Sequence, residues 1–117
     1  MKIAFTAAGP DWDDPMDARF GRARYLLVHD DDSGALTIHD NAAVSDEAHG
    51  AGPRTAAVLL GLGAQVLVTG NGPGGNAARA LSGRGVAVFV GAGDLTVKQA
   101  YAAYRQGTLT ALPGDDA

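Results

Sequence analysis

Two short apolar runs decide what this chain can fold into: residues 65–69, Gln65-Val66-Leu67-Val68-Thr69, and residues 86–90, Val86-Ala87-Val88-Phe89-Val90. Each is the length of a strand, and a run of that kind suits a strand covered on both faces of a parallel sheet. Helical segments alternate with them. Pro53 suits the first turn of a helix running to about Leu62, with Gly63 as its stop. A second, short helix follows residues 70–76 and ends at Leu81 or Ser82. A third opens at Thr96-Val97-Lys98-Gln99, which fits a capping box, and puts Val97, Ala100, Tyr101 and Tyr104 on one face before Gly107. Strands alternating with helices need right-handed crossovers, so the second half of the chain predicts a parallel sheet covered by helices.

The first half reads differently. Ile3, Phe5 and Ala7 alternate with Lys2, Ala4 and Thr6 in a strand that ends at Gly9-Pro10. Residues 25–28 and 35–39 form two further strands around Asp30-Asp31-Asp32-Ser33-Gly34, whose composition is that of a hairpin turn. The expected fold is α/β: three layers, α/β/α, around a mixed five-stranded sheet. With 117 residues there is room for one domain, over residues 1–110, followed by a flexible tail over residues 111–117.

Composition removes several function classes. A formal net charge of −4 gives no positive field for nucleic acid, so no nucleic-acid partner is expected. There is no cysteine, which excludes disulfides, thiolate nucleophiles and cysteine-held clusters within this chain. No stretch of about 20 apolar residues and no signal-peptide pattern is present, so the expectation is a cytoplasmic protein without a membrane partner. Ser33, Ser45 and Ser82 lie in a turn, a polar loop and a helix end without a G-x-S-x-G elbow, so no enzyme is expected.

Binding chemistry concentrates in three loops, residues 11–22, 41–52 and 70–76, at strand ends where helix N-termini offer free N–H groups. Gly70, Gly72 and Gly75 match G-x-G-x-x-G between a strand and a helix, with Asp94 downstream. This reads as a backbone cradle for an anion, or as a tight turn with nothing bound. A nucleotide or phosphometabolite-binding module is the alternative function. Pro73 and the short following helix argue against a dinucleotide site, and no Gly-Lys-Ser/Thr completes a Walker loop. Arg19, Arg22 and Arg24 either clamp an anion or pair with Asp11, Asp13, Asp14 and Asp17. His29 and His39 fall on the hairpin, whereas His49 opens His49-Gly50-Ala51-Gly52 just before a helix and is the metal-ligand candidate.

Taken in order, Asp17-Ala18-Arg19-Phe20-Gly21-Arg22-Ala23, His49-Gly50-Ala51-Gly52 and Val66-Leu67-Val68-Thr69-Gly70-Asn71-Gly72-Pro73 with Asn76-Ala77 resemble the dinitrogenase iron–molybdenum cofactor biosynthesis family. The resemblance spans about residues 1 to 110. It implies a ribonuclease H-like fold and a carrier of the iron–molybdenum cofactor or of iron–sulfur precursors, with cluster-assembly or acceptor proteins as partners. Carried over by position, the cofactor-binding residues would be Arg19, Phe20, Gly21, Arg22, His49, Gly50, Gly52, Gly70, Gly72, Gly75 and Asn76, with His49 as the metal ligand. Some members carry His before Phe-Gly-Arg; this chain has Arg19 there. An iron–sulfur-type cargo is anionic, so Arg side chains and helix N-termini suit it.

Overall fold

The computed structural model describes residues 1–46 and 49–112. Six strands form one sheet in the order β3-β2-β1-β4-β5-β6. They are β1 (Lys2–Ala7), β2 (Tyr25–Asp30), β3 (Leu36–Asp40), β4 (Val66–Val68), β5 (Ala87–Val90) and β6 (Thr110–Ala111). β1, β4 and β5 run parallel, with Phe5 opposite Val68 and Val68 opposite Phe89. β2 and β3 are antiparallel neighbours on one side, and β6 is antiparallel to β5 on the other. The helices are α1 (Ala42–Ser45), α2 (Ala51–Gly61), α3 (Gly75–Ser82) and α4 (Val97–Gln106).

Strand alternation sorts the core into two halves. On one face Ala4, Leu26, Val28, Leu67 and Val88 pack against Ala56 and Leu59 of α2 and Ala77 and Leu81 of α3. On the other, Ile3, Phe5, Leu27, Val66 and Val68 pack against Val97, Ala100, Tyr101 and Tyr104 of α4. Val66, Leu67 and Val68 are all buried, as a strand covered on both faces requires. Full burial of such a side chain contributes roughly 1.5–3 kcal/mol, so this three-residue strand is held by packing as well as by its short ladder.

The sheet has six strands rather than the expected five. Thr110 pairs with Val90 and Ala111 with Phe89, and the Leu112 N–H donates to the Val88 carbonyl at 2.9 Å. The chain expected to fray from residue 111 therefore begins as an edge strand, while residues 113–117 lie outside the described residues. Both β6 residues are exposed, so main-chain pairing forms the strand and no apolar alternation announces it. Two smaller differences lie in the second loop. It contains α1, and α2 starts at Ala51 before Pro53, with Gly50 at its N-cap in the left-handed region, φ 78°. No helix among the described residues is long and apolar enough to cross a membrane.

Candidate functional site

β1 is flanked by antiparallel β2 and parallel β4, so the chain leaves the carboxyl ends of β1 and β4 across a crevice of the kind where α/β proteins bind ligands. The crevice floor is polar and buried. Thr6 Oγ1 hydrogen-bonds both the Thr69 hydroxyl, at 2.8 Å, and the Asp17 carbonyl oxygen, at 3.0 Å. The Asp17 N–H returns to the Thr6 carbonyl at 2.8 Å, which ties the loop after β1 back onto its own strand.

The loops meet backbone to backbone. A Cβ on Gly70 would lie 2.6 Å from Ala18 Cα and 3.0 Å from Gly93 Cα, and one on Gly21 would lie 2.7 Å from the Gly52 nitrogen. Only glycine permits approaches this close. A Cβ on Gly52 would stand 3.9 Å from the Ala77 side chain, so the first turns of α2 and α3 are neighbours. The segment around residues 18–21 is thus wedged between the start of α2 and the loop from β4 to α3. The three loops singled out in the sequence form one locus.

The side chains divide. Phe20 is buried in the core under α2 and α3, where it anchors the loop. Arg19 is exposed but committed to Asp17: its Nε donates to Oδ1 at 3.1 Å and Nη2 to Oδ2 at 3.1 Å. These hydrogen bonds, and secondly the Asp17 charge, hold the guanidinium even more firmly protonated than usual. Arg24 pairs with Asp40 at 3.3 Å and lies 5.5 Å from the Tyr25 ring centroid. Of the sequence's two alternatives, an anion clamp or pairing with nearby aspartates, Arg19 takes the second with Asp17. Arg22 reaches the α1 end, donating from Nη1 to the Ser45 carbonyl at 2.9 Å. His49 is exposed beside Gly50. Among the described residues, the one cluster of three His or acidic groups spaced for a cation is Asp30-Asp31-Asp32. That cluster lies at the opposite end of the sheet, since Asp30 pairs with Lys2 at the start of β1.

What the locus offers is main-chain donors. α2 and α3 begin without a side-chain cap and without an acid in their first turns. Among the described residues the N–H groups of Ala51, Gly52, Gly75, Asn76 and Ala77 have no hydrogen-bond partner. Two neighbouring helix starts without side-chain caps or first-turn acids carry uncompensated partial positive charge. Arg79, which the sequence reading did not single out, adds a full charge. Its Nη2 donates to Asn76 Oδ1 at 2.6 Å, and its Nη1 lies 3.6 Å from where a Gly75 Cβ would be, so the guanidinium folds back to the α3 start. The Asn76–Arg79 spacing of three within a helix was the available signal.

The family model described as dinitrogenase iron-molybdenum cofactor matches residues 1–107. The chain belongs to this family. The apo form of the orange protein from Desulfovibrio gigas is 40% identical, with a TM-score of 0.90, and the match covers 97% of this chain and 93% of that one. A putative NifB protein from Thermotoga is 32% identical, with a TM-score of 0.81 and 95% and 92% coverage. No curated protein matches. Within the iron-molybdenum cofactor family fold, the crevice described above is therefore framed by this chain's own glycines and open helix starts.

Proposed function

We propose that this chain is a non-catalytic carrier of an iron–molybdenum or iron–sulfur type cofactor or precursor, which it holds as an anion at the shared start of α2 and α3. The observation that carries this reading is the α3 start, where the N–H groups of Gly75, Asn76 and Ala77 have no partner among the described residues and the Arg79 guanidinium stands beside them. Cluster ligation through protein thiolates has no support in a chain without cysteine. Backbone donors and one nearby arginine fit an anionic cluster that is held without covalent capture and handed on. Family membership and the likeness to the orange protein support the cargo class. The carrier works in the cytoplasm, with cluster-assembly and acceptor proteins as its partners.

Anaerobic incubation with iron–molybdenum cofactor, followed by gel filtration and metal analysis, tests this reading. Iron and molybdenum should co-elute with the protein, and Arg79→Ala should retain several-fold less metal. Absence of metal from the protein peak, or equal retention by Arg79→Ala, would overturn it. The backbone cradle also suits phosphate, so stabilisation by nucleotides without metal retention would favour a phosphometabolite-binding module.

A further inference from the structure

On the opposite face of the sheet from α2 and α3, a cavity of about 540 Å³ opens between α4 and the β2–β3 hairpin. Trp12, His29, Leu36, Tyr101 and Lys98 supply its chemistry. The rings are packed on one another: Trp12 and His29 centroids are 5.2 Å apart, Trp12 and Tyr101 5.5 Å, and His29 and Tyr101 4.8 Å. Phe5 backs the cluster from the core, 5.7 Å from Trp12 and edge-on to it. The single tryptophan of the protein thus stands half-buried in a cavity wall.

Two polar features are unspent. His29 Nδ1 is buried and lacks a hydrogen-bond partner, so the imidazole is kept in place by ring packing. Lys98 is exposed, and its ammonium has no ion-pair partner among the described residues, although its backbone N–H is fixed on the Trp12 carbonyl at 2.9 Å. Aromatic walls with one cation select a flat π-system that carries a negative charge: rings stack on Trp12 and Tyr101 while the anion meets Lys98. A cationic ligand would meet that same charge as repulsion. The volume lies within the 300–1,000 Å³ range typical of small-molecule sites.

From this arrangement we infer that the chain has a second binding site, separate from the crevice, for a small planar aromatic carboxylate. Stacking and charge are both required. Trp12 reports on the site directly, because no other indole contributes to emission.

Titrating the full chain with benzoate and phenylacetate should give a saturable change in Trp12 emission and a matching rise in melting temperature. Cyclohexanecarboxylate, charged but not aromatic, and benzyl alcohol, aromatic but uncharged, should each bind at least tenfold more weakly. Lys98→Met, on an exposed helix position, should weaken benzoate at least tenfold and leave the melting temperature of the free protein unchanged. Leu36→Trp should fill the cavity and abolish the thermal shift. Should neither aromatic acid give saturation, or should Lys98→Met and cyclohexanecarboxylate behave like wild type and benzoate, the inference is overturned. Metal retention at the α2–α3 start is read separately, so either result stands without the other.

Discussion

α3 and α4 leave the same edge of the sheet, and they begin in opposite ways. In α4 the Val97 N–H donates to the Asp14 carbonyl, that of Lys98 to the Trp12 carbonyl and that of Gln99 to Thr96 Oγ1, while the Gln99 side chain closes the box on the Thr96 N–H. In α3 the N–H groups of Gly75, Asn76 and Ala77 have no partner among the described residues, and α2 likewise begins without a side-chain cap. A protein under pressure only to be stable has no reason to close one helix start fully and leave two neighbouring ones open, because each missing cap costs about 1 kcal/mol. Under the proposed carrier function, the difference is what ends kept for a ligand outside the chain would show.

The harshest way to break this contrast is to push the open ends apart. Gly70→Val places its side chain against Ala18 and Gly93 backbone, which cannot yield as a side-chain tip can. Overpacking of this kind typically costs about 1–3 kcal/mol, so a lower urea midpoint together with loss of metal retention is expected. Gly61→Ala is the control: a Cβ there meets nothing within 4 Å and the residue is helical, where Ala is preferred to Gly, so stability should hold or rise slightly. Equal behaviour of the two variants would mean that the loops are not fixed by close approach.

The next effect falls on the closed end. Thr96→Ala removes the acceptor for Gln99 and should cost about 1 kcal/mol, read as a fall of a few degrees in Tm. Metal retention should be untouched, since α4 lies on the other face. Gly74→Asp makes the opposite change at α3. An N-cap carboxylate should accept from the free N–H groups and stabilise the protein by a few tenths of a kcal/mol, yet lower metal retention several-fold. A variant that gained stability and kept its cargo would sever the link between open helix ends and binding.

Much of this arrangement was legible in the sequence, but unevenly. The β4 run and the Thr96–Gln99 box are local signals, and both elements stand where periodicity and capping placed them. β6 was invisible because edge pairing through Thr110 and Ala111 leaves no apolar pattern, and α1 is one turn with only Val44 buried. The glycine loops announced their place, though not which groups would bind. Arg19 stood between clamping an anion and pairing with one of four nearby aspartates until the fold brought it onto Asp17, while Arg79 carried no signal beyond its spacing from Asn76 until α3 turned it back to that residue. A charge's role depends on which partner the backbone delivers to it, and residue type alone does not carry that.

The smallest effect belongs to α1, which sides with the closed ends. The Ala42 N–H donates to Asp40 Oδ1 at 2.9 Å, and this bond, aided by Arg24 at 3.3 Å, lowers the Asp40 pKa below the ordinary aspartate value. A carboxylate lowered on folding adds stability that is fully present above its unfolded pKa and is lost as pH falls through its folded one. Asp40 is exposed and screened, so the contribution is small. Wild type should have a slightly higher urea midpoint than Asp40→Ala at neutral pH, and the gap should narrow on acidification toward roughly pH 2, where the carboxylate of either state is protonated. A gap that stayed constant across that range would assign Asp40 to packing instead of charge. Metal retention at neutral pH should match wild type, because Asp40 serves the first N–H of α1 and takes no part in the proposed cradle at α3.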